Sequence, residues 1–345
     1  MRIERLDGRD GASGQRWDRF VDTCAGGSFF HRAGWQRVIN DSFGHATHYL
    51  QALDEQGGVR GVLPLAHVKS RLFGSSLVSL PFASCGGIAA DDDQARQALQ
   101  NEAVALARRL DVAHLELRNV ERQQLDWPTQ DLYVAFRMAI PPVLDDKMLA
   151  IPQKRRNMVR KAIKLGLHAV RDDTVANFFP AFASNARDHG TPTLPRRWFE
   201  QIAAVFADDC RILSVRNADG VTVSSIMCFW HKGVVIAHYA GERPEARGAA
   251  ANDLKYWEVM RWAQARGFGT FDIGRSKKGT GSYEFKRLWG FEPVQLHYQY
   301  QLLKRDGIPQ NNPNNPKYQR LIRTWQKLPI PVANLIGPWL VRSLG

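Results

Sequence analysis

The chain has 345 residues, 44% of them hydrophobic and 10% aromatic; this is globular make-up, enough for two domains, and it excludes a disordered chain. Its 47 Lys and Arg against 34 Asp and Glu leave a formal charge of +13, which favours anionic partners such as nucleic acid, nucleotide-linked sugars, CoA phosphates or acidic lipid without choosing among them. Cys24, Cys85, Cys210 and Cys228 are far apart and the ten histidines are scattered, a pattern that argues against a disulfide framework or a motif-built metal site.

The opening MRIERLDGRDG is polar, and no apolar run reaches about 18 residues, so the expectation is a cytoplasmic protein without a transmembrane helix. Helices are expected at Trp17–Cys24 and Ala33–Ile39. A strand pair follows, His48–Leu53 and Val59–Val68, and then a strand at Ser76–Leu80. Apolar residues at helical spacing predict a long helix over Asp93–Leu110, followed by strands at His114–Leu117 and Leu132–Met138. The second half repeats this order. Phe178 and Phe182, then Trp198, Ile202, Val205 and Phe206, mark two helices, with Pro195 at a helix start. Arg211–Arg216 and Val221–Trp230 form a hairpin across Ala218-Asp219-Gly220, and a third strand runs over Val234–Ala240. A helix over Ala251–Arg266 is stopped by Gly267. Thr270–Ile273, a short helix at Tyr283–Trp289, and Gln295–Leu302 complete the repeat.

Two rounds of helix, helix, three antiparallel strands, helix, strand, turn, strand give an α/β (α+β) fold class of two tandem GNAT-like domains. Each would be a mostly antiparallel mixed sheet flanked by helices. The join is expected near Pro141-Pro142, giving a domain over 1–142, a second over 143–305 that carries the active centre, and a tail over 306–345.

Three segments are candidates for chemistry. In Ile151–Arg171 there are seven basic residues and no acidic one. Arg156, Arg160 and Lys164 share one helical stripe, and Met158, Ala162 and Leu165 an apolar one. Like charges at i, i+4 repel, so an anionic partner would offset a real cost; the plainer reading is a solvated basic face. In Phe271–Gly290 a strand enters a glycine-rich basic loop and then a short helix. Gly279 and Gly281 allow close backbone approach, and Lys286 is placed to stabilise an oxyanion. The plainer reading there is a connector with a surface lysine. Glu245–Ala250 (E-A-R-G-A-A) partly matches the Q/R-x-x-G-x-G/A pyrophosphate loop of CoA-dependent GNAT enzymes, with Glu where Gln or Arg is usual; a simple helix lead-in fits as well. His189 and His238 are further cleft candidates. The sequence contains no Walker loop and no G-x-S-x-G elbow.

The helix K-R-R-N-M-V-R-K-A-I-K-L-G (Lys154–Gly166) and the run F-D-I-G-R-S…G-T-G…F-K…W-G-F-E (Phe271–Glu292) resemble the FemAB-like family, which adds amino acids to peptidoglycan precursors from aminoacyl-tRNA. N-A-R-D-H-G-T-P-T-L-P (Asn185–Pro195), A-N-D-L-K-Y-W (Ala251–Trp257) and P-V-A-N-L-I-G-P-W-L (Pro331–Leu340) are similar to the subgroup found with exosortase/PEP-CTERM and exopolysaccharide systems. The resemblance implies Phe285 and Lys286 as the catalytic pair. It implies substrate contacts from Arg156, Asn157, Arg160 and Lys161 of the basic helix, and from Arg187, Asn252, Gly274, Arg275, Gly279, Gly281 and Tyr283. No metal and no resident cofactor are expected; the co-substrate is aminoacyl-tRNA or acyl-CoA, and the acceptor an amine of a phosphorylated or lipid-linked envelope precursor. The long helical arm of some tRNA-dependent members is missing from this sequence. A rival from another class is a non-catalytic nucleic-acid-binding protein, which the charge would suit.

After Asp306 a polar linker leads to Tyr318, Leu321, Ile322 and Trp325 beside Lys317, Arg320, Arg323 and Lys327, and then to Val332, Leu335, Ile336, Trp339 and Leu340. Two readings stand. The tail packs on the body, or it lies on the inner face of an anionic membrane.

Overall fold

The structure is a computed structural model that describes residues 1–8, 10–70, 74–123, 126–309 and 316–343, with the side chains of 316–319 outside that description. Most of the expected linker, together with the side chains of Lys317 and Tyr318, therefore lies outside the described residues.

Along the chain run β1 (Arg2–Arg5), α1 (Gly11–Thr23), α2 (Trp35–Phe43), β2 (Ala46–Leu53), β3 (Val59–Ser70), β4 (Gly74–Ser79), β5 (Ala89–Ala90), α3 (Asp93–Arg109), β6 (His114–Asn119) and β7 (Thr129–Gln130). Then come β8 (Tyr133–Ala139), α4 (Gln153–Lys164), β9 (His168–Arg171), α5 (Val175–Asp188), α6 (Arg196–Val205), β10 (Cys210–Arg216), β11 (Thr222–His231) and β12 (Val234–Glu242). The chain ends with α7 (Ala251–Gln264), β13 (Thr270–Lys277), α8 (Gly281–Leu288), β14 (Glu292–Gln295), β15 (His297–Leu302), α9 (Pro316–Gln326) and α10 (Ile330–Val341).

These elements form two compact units. The first comprises the described residues of Met1–Tyr133, Gln295–Gln310 and Leu340–Gly345; the second comprises those of Val134–Val294 and Asn311–Trp339. In the first unit the strand order is β1-β2-β3-β4-β6-β15-β7, and α3 covers one face. Its core gathers Leu50, Leu63, Leu65, Leu99, Leu106 and Leu115. The alternation of these residues on the strands and the three- and four-residue spacing of Ala95, Leu99, Ala103 and Leu106 on α3 put one face of each element inside. In the second unit the order is β14-β8-β13-β12-β11-β10-β9. Phe136, Val215, Ile226, Trp230, Leu254, Trp257 and Trp289 fill its core.

The repeat in element order is present, but its closing strands are exchanged. The strand expected to end the first sheet, Leu132–Met138, forms β8 and joins the second, whereas Gln295–Leu302, expected to end the second, supplies β15 to the first. β15 pairs with β6 over six residues, from His297↔Asn119 to Leu302↔His114. Period-two alternation tells which face of a strand is buried but not which sheet edge it joins, and chain order carries the same ambiguity. The short edge strands β1 and β9 also escape the sequence reading, because four residues give little periodicity.

Helix α4 is rotated relative to expectation. Its buried residues are Arg155, Val159 and Ala162, while Met158 is half-buried and Leu165 is exposed. The true inner stripe therefore begins on a charged residue, which an apolar pattern skips over. The four cysteines are buried free thiols.

Candidate active site

Each unit contains a parallel strand pair, and in each the ladder stops before the strands do. In the first unit β4 and β6 pair only at Ser76↔His114, Leu77↔Leu115 and Val78↔Glu116. Beyond this the gap is filled from within. The Arg118 N–H donates to Ser79 Oγ at 2.7 Å, and its guanidinium donates to the carbonyls of Leu80 and Ala83 at 3.4 and 3.0 Å. Gly86 and Gly87 donate in turn to the Arg118 carbonyl, and Glu116 pairs with Arg118 at 2.7 Å in the interior. A side chain on Gly87 would put its Cβ 1.9 Å from Asn119 Oδ1. That gap is sealed.

In the second unit β12 and β13 pair at Val234↔Thr270, Val235↔Phe271 and Ile236↔Asp272, after which β12 runs six residues further and β13 five. Two local devices bend them apart at the same level. On β12, His238 is an extra residue between Ala237 and Tyr239 in the pairing with β11, a β-bulge. On β13, Gly274 has φ +71°, and its N–H turns back to Asp272 Oδ1 at 2.7 Å. A positive φ in mid-strand aims the next carbonyls out of the ladder and suits glycine. After Glu242 the chain turns over β11, where the Arg243 N–H donates to the Val223 carbonyl. Gly274→Ala is expected to cost about 1–2 kcal/mol of folding free energy from backbone strain, since an added Cβ would meet only Ala237 O at 3.6 Å and His238 Nδ1 at 3.9 Å. Denaturant unfolding showing no loss would contradict the bend assigned to Gly274.

The ammonium of Lys286, on α8, reaches this bend. It donates to the carbonyls of Gly274 and Arg275, both at 3.0 Å, and lies 5.6 Å from the Phe136 ring centre. Thr280 caps α8 by accepting from the Tyr283 N–H, and the hydroxyls of Ser276 and Ser282, 2.9 Å apart, close the loop. Lys286 is 7% exposed. Burial pulls its pKa down to about 7, with Arg275 adding to the effect and Asp272 opposing it.

Phe285 is half-buried between Tyr256, 5.9 Å away, and the guanidinium of Arg155, 5.0 Å from its ring centre. Arg155 donates to Asp253 Oδ1 at 3.1 Å, and the indole N–H of Trp289 donates to the same oxygen at 3.0 Å. One carboxylate on α7 thereby ties α4 to the end of α8. The sequence reading missed both Arg155 and Asp253. It missed Lys255 too, whose buried ammonium donates to Ser224 Oγ at 2.9 Å and to Asn252 Oδ1 at 2.5 Å; burial lowers its pKa to about 8. The available signal was Asp253 and Lys255 interleaved with Ala251, Leu254 and Trp257 in the first turns of the helix.

Of the other candidates, Gly274 and Arg275 belong to the bend itself, and Tyr283 packs edge-on to Phe136 at 5.2 Å. Gly279 and Gly281 are exposed on the loop. On α4, Asn157, Arg160 and Lys161 are exposed, and Arg160 donates to the Lys147 carbonyl. Arg156 is half-buried, with an Nε that has no acceptor among the described residues. Arg187 is committed elsewhere: it pairs with Asp188 at 2.6 Å and donates to the Leu328 carbonyl at 3.1 Å. His189 is exposed and bonds its own helix. Among the described residues no cluster of His, Cys, Asp or Glu is arranged to hold a metal.

Residues 153–287 match the model of the acetyltransferase (GNAT) domain family. The whole chain is similar to the solved structure of FemX, at 15% identity over 93% of this chain and 100% of that one, with a TM-score of 0.68. A tandem GNAT protein from the clavulanic acid biosynthesis pathway aligns at 14% identity over 87% and 98%, with a TM-score of 0.55. The chain has a tandem GNAT fold. The C-terminal domain of a putative lysylphosphatidylglycerol synthetase from Agrobacterium fabrum shares it, at 15% identity over 83% of this chain and 91% of that one, with a TM-score of 0.56. No curated protein matches the sequence. In this tandem GNAT chain the parallel pair β12 and β13 lies inside the matched segment and the pair β4 and β6 outside it.

Proposed function

We propose that the second unit catalyses N-acyl transfer, moving an aminoacyl or acyl group from an activated ester or thioester to the amine of an envelope, peptidoglycan or exopolysaccharide precursor. The observation that carries this reading is the buried Lys286 ammonium at the bent end of β13, beside a gap between strands. An ammonium has three N–H groups. Two are used on Gly274 and Arg275, which fixes the third without reorganisation at the moment of reaction. The acceptor amine attacks the acyl carbonyl; the C–N bond forms, the carbonyl oxygen takes the negative charge, and the charge returns to break the bond to the donor oxygen or sulfur, which leaves with the proton that the amine nitrogen gives up. A fixed donor stabilises that oxyanion and holding the reactants together lowers the entropic barrier, so no covalent enzyme intermediate is needed. Phe285, Tyr283 and Phe136 keep the lysine stem in place. Arg156, Arg160, Lys161 and Asn157 on α4 contact anionic groups of donor or acceptor, and Asn252, Gly279 and Gly281 line the approach. Catalysis falls in the segment expected as 143–305, of which Gln295–Leu302 belongs to the other unit.

The name of the lysylphosphatidylglycerol synthetase points toward lipid chemistry, the resemblance of Lys154–Gly166 and Phe271–Glu292 to the FemAB-like family supports an envelope precursor as acceptor, and the likeness to the exosortase-associated subgroup supports an exopolysaccharide system and a cytoplasmic location. A second reading, with acyl-CoA as donor, is favoured by the acetyltransferase-family match and by the turn before α7. There Asp253 and Leu254 both bond back to the Ala250 carbonyl, leaving the first N–H groups of the helix directed outward. Mass spectrometry of products after incubation with charged tRNA or acyl-CoA and extracted precursors separates the two. Acyl transfer from neither donor, with salt-sensitive binding to bulk RNA instead, would favour the non-catalytic rival.

A further inference from the structure

An ordinary surface helix buries its large apolar residues and shows its small or polar ones. Helix α10 does the reverse. Its buried residues are Ala333 and Gly337, and a Cβ on Gly337 would lie 2.8 Å from the Thr193 backbone nitrogen, so the helix is seated by its small-residue edge. The opposite face presents Val332, Leu335, Ile336 and Trp339, spaced i, i+3, i+4, i+7, with Leu335 80% and Trp339 65% exposed. Helix α9 continues the pattern. Ile322 packs on Gly190, Gln326 donates to the Asp188 carbonyl, and Leu321 is 66% exposed beside exposed Arg320 and Arg323. The tail is thus packed on the body and apolar on its outer side at once.

We propose that this outer face docks on an anionic lipid bilayer, with α10 lying in the headgroup region. Three observations select that partner. From residue 307 to the last residue the sequence has five basic residues (Lys317, Arg320, Arg323, Lys327 and Arg342) and no acidic one. A second copy meeting this face through a two-fold axis would bring the same charges against each other, whereas anionic headgroups neutralise them. Twelve residues of helix span about 18 Å, short of the roughly 30 Å of a bilayer core, so α10 lies in the interface instead of crossing it. Trp339 is of the residue type that prefers that interface. Among the described residues no helix is long and apolar enough to cross a membrane. This inference is independent of the catalytic reading.

The test is co-sedimentation of the full chain with vesicles of phosphatidylglycerol and phosphatidylcholine, and with phosphatidylcholine alone. The expected result is binding to the anionic vesicles that is about tenfold tighter than to the neutral ones and weakens at about 0.5 M NaCl. Leu335→Glu with Trp339→Glu is expected to lower anionic binding about tenfold or more with an unchanged melting temperature. Should that variant fail to fold, Arg320→Gln with Arg323→Gln on the exposed surface decides, through an expected loss of about tenfold on anionic vesicles only. Three outcomes overturn the proposal: no sedimentation at low salt, binding unchanged in the folded variants, or a concentration-dependent dimer abolished by Leu335→Glu/Trp339→Glu without vesicle binding.

Discussion

Lys286→Met is expected to lower kcat by about 100- to 1,000-fold, the effect of deleting one oxyanion donor, with KM moved only a few-fold. Methionine keeps an unbranched stem of similar length at this buried position and removes the ammonium, so the protein should stay folded. Two carbonyls, Gly274 and Arg275, lose a donor, at a cost of about 1 kcal/mol each, and a buried charge is removed, which offsets that cost. The melting temperature should therefore change little while turnover collapses. Full activity in this variant would end the catalytic assignment of Lys286. A fall in activity matched by a fall in stability would instead mark it as a bracket for β13.

The same residue predicts a titration. Lys286 ordinarily would have a pKa of 10.5, and burial brings it to about 7. Between those values the unfolded chain holds a proton that the folded chain has released, so this group makes the protein more stable as pH rises from about 7 toward 10.5. The charged form is the oxyanion donor, so its contribution to turnover fades above about pH 7. Lysine-selective ¹³C NMR should show one resonance titrating near 7 that disappears in Lys286→Met. A midpoint near the ordinary lysine value for that resonance would show the ammonium to be solvated.

What the sequence revealed and what it hid divide along a physical line. Helices and central strands were legible because burial imposes periods of 3.6 and 2 on their apolar residues, and Gly267 and Gly290 marked ends that only a left-handed residue closes well. The strand-to-loop-to-helix run holding Gly274, Thr280 and Lys286 was legible as a unit because glycine spacing and a cap leave a local trace. The exchange of β8 and β15 was not, since pairing across some 180 positions (Asn119 with His297) has no local signature. Nor was the bulge at His238, which depends on register with β11. Polar residues at core positions were the costliest omission. Arg155 and Asp253 read as surface charges in a string of charges, and only their meeting 98 positions apart gives them a role.

That meeting carries the largest expected loss of stability. Asp253→Ala should destabilise the chain by about 3–5 kcal/mol, the range for breaking a buried ion pair from one side. The loss is uneven by design: the Arg155 guanidinium and the Trp289 indole N–H both point at Asp253 Oδ1, all three residues are buried, and removing the oxygen strands two donors at once. Burial already pushes the Asp253 carboxyl up, against the lowering effects of Arg155 and Trp289, so the pair contributes less net stability than its partners' dependence on each other suggests. Asp253→Asn keeps an acceptor and should cost less than Asp253→Ala. Arg155→Met together with Asp253→Leu should recover the share of the loss that comes from the stranded guanidinium, because an apolar pair is often no worse than a buried ion pair, while the Trp289 N–H stays unpaired. The double variant should still turn over slowly, since Phe285 loses the guanidinium stacked on it and α8 its tie to α7. Denaturant unfolding of the three variants measures this; a double variant no more stable than Asp253→Ala would mean that the loss comes from the Trp289 N–H or another contact of the carboxylate and not from the stranded guanidinium.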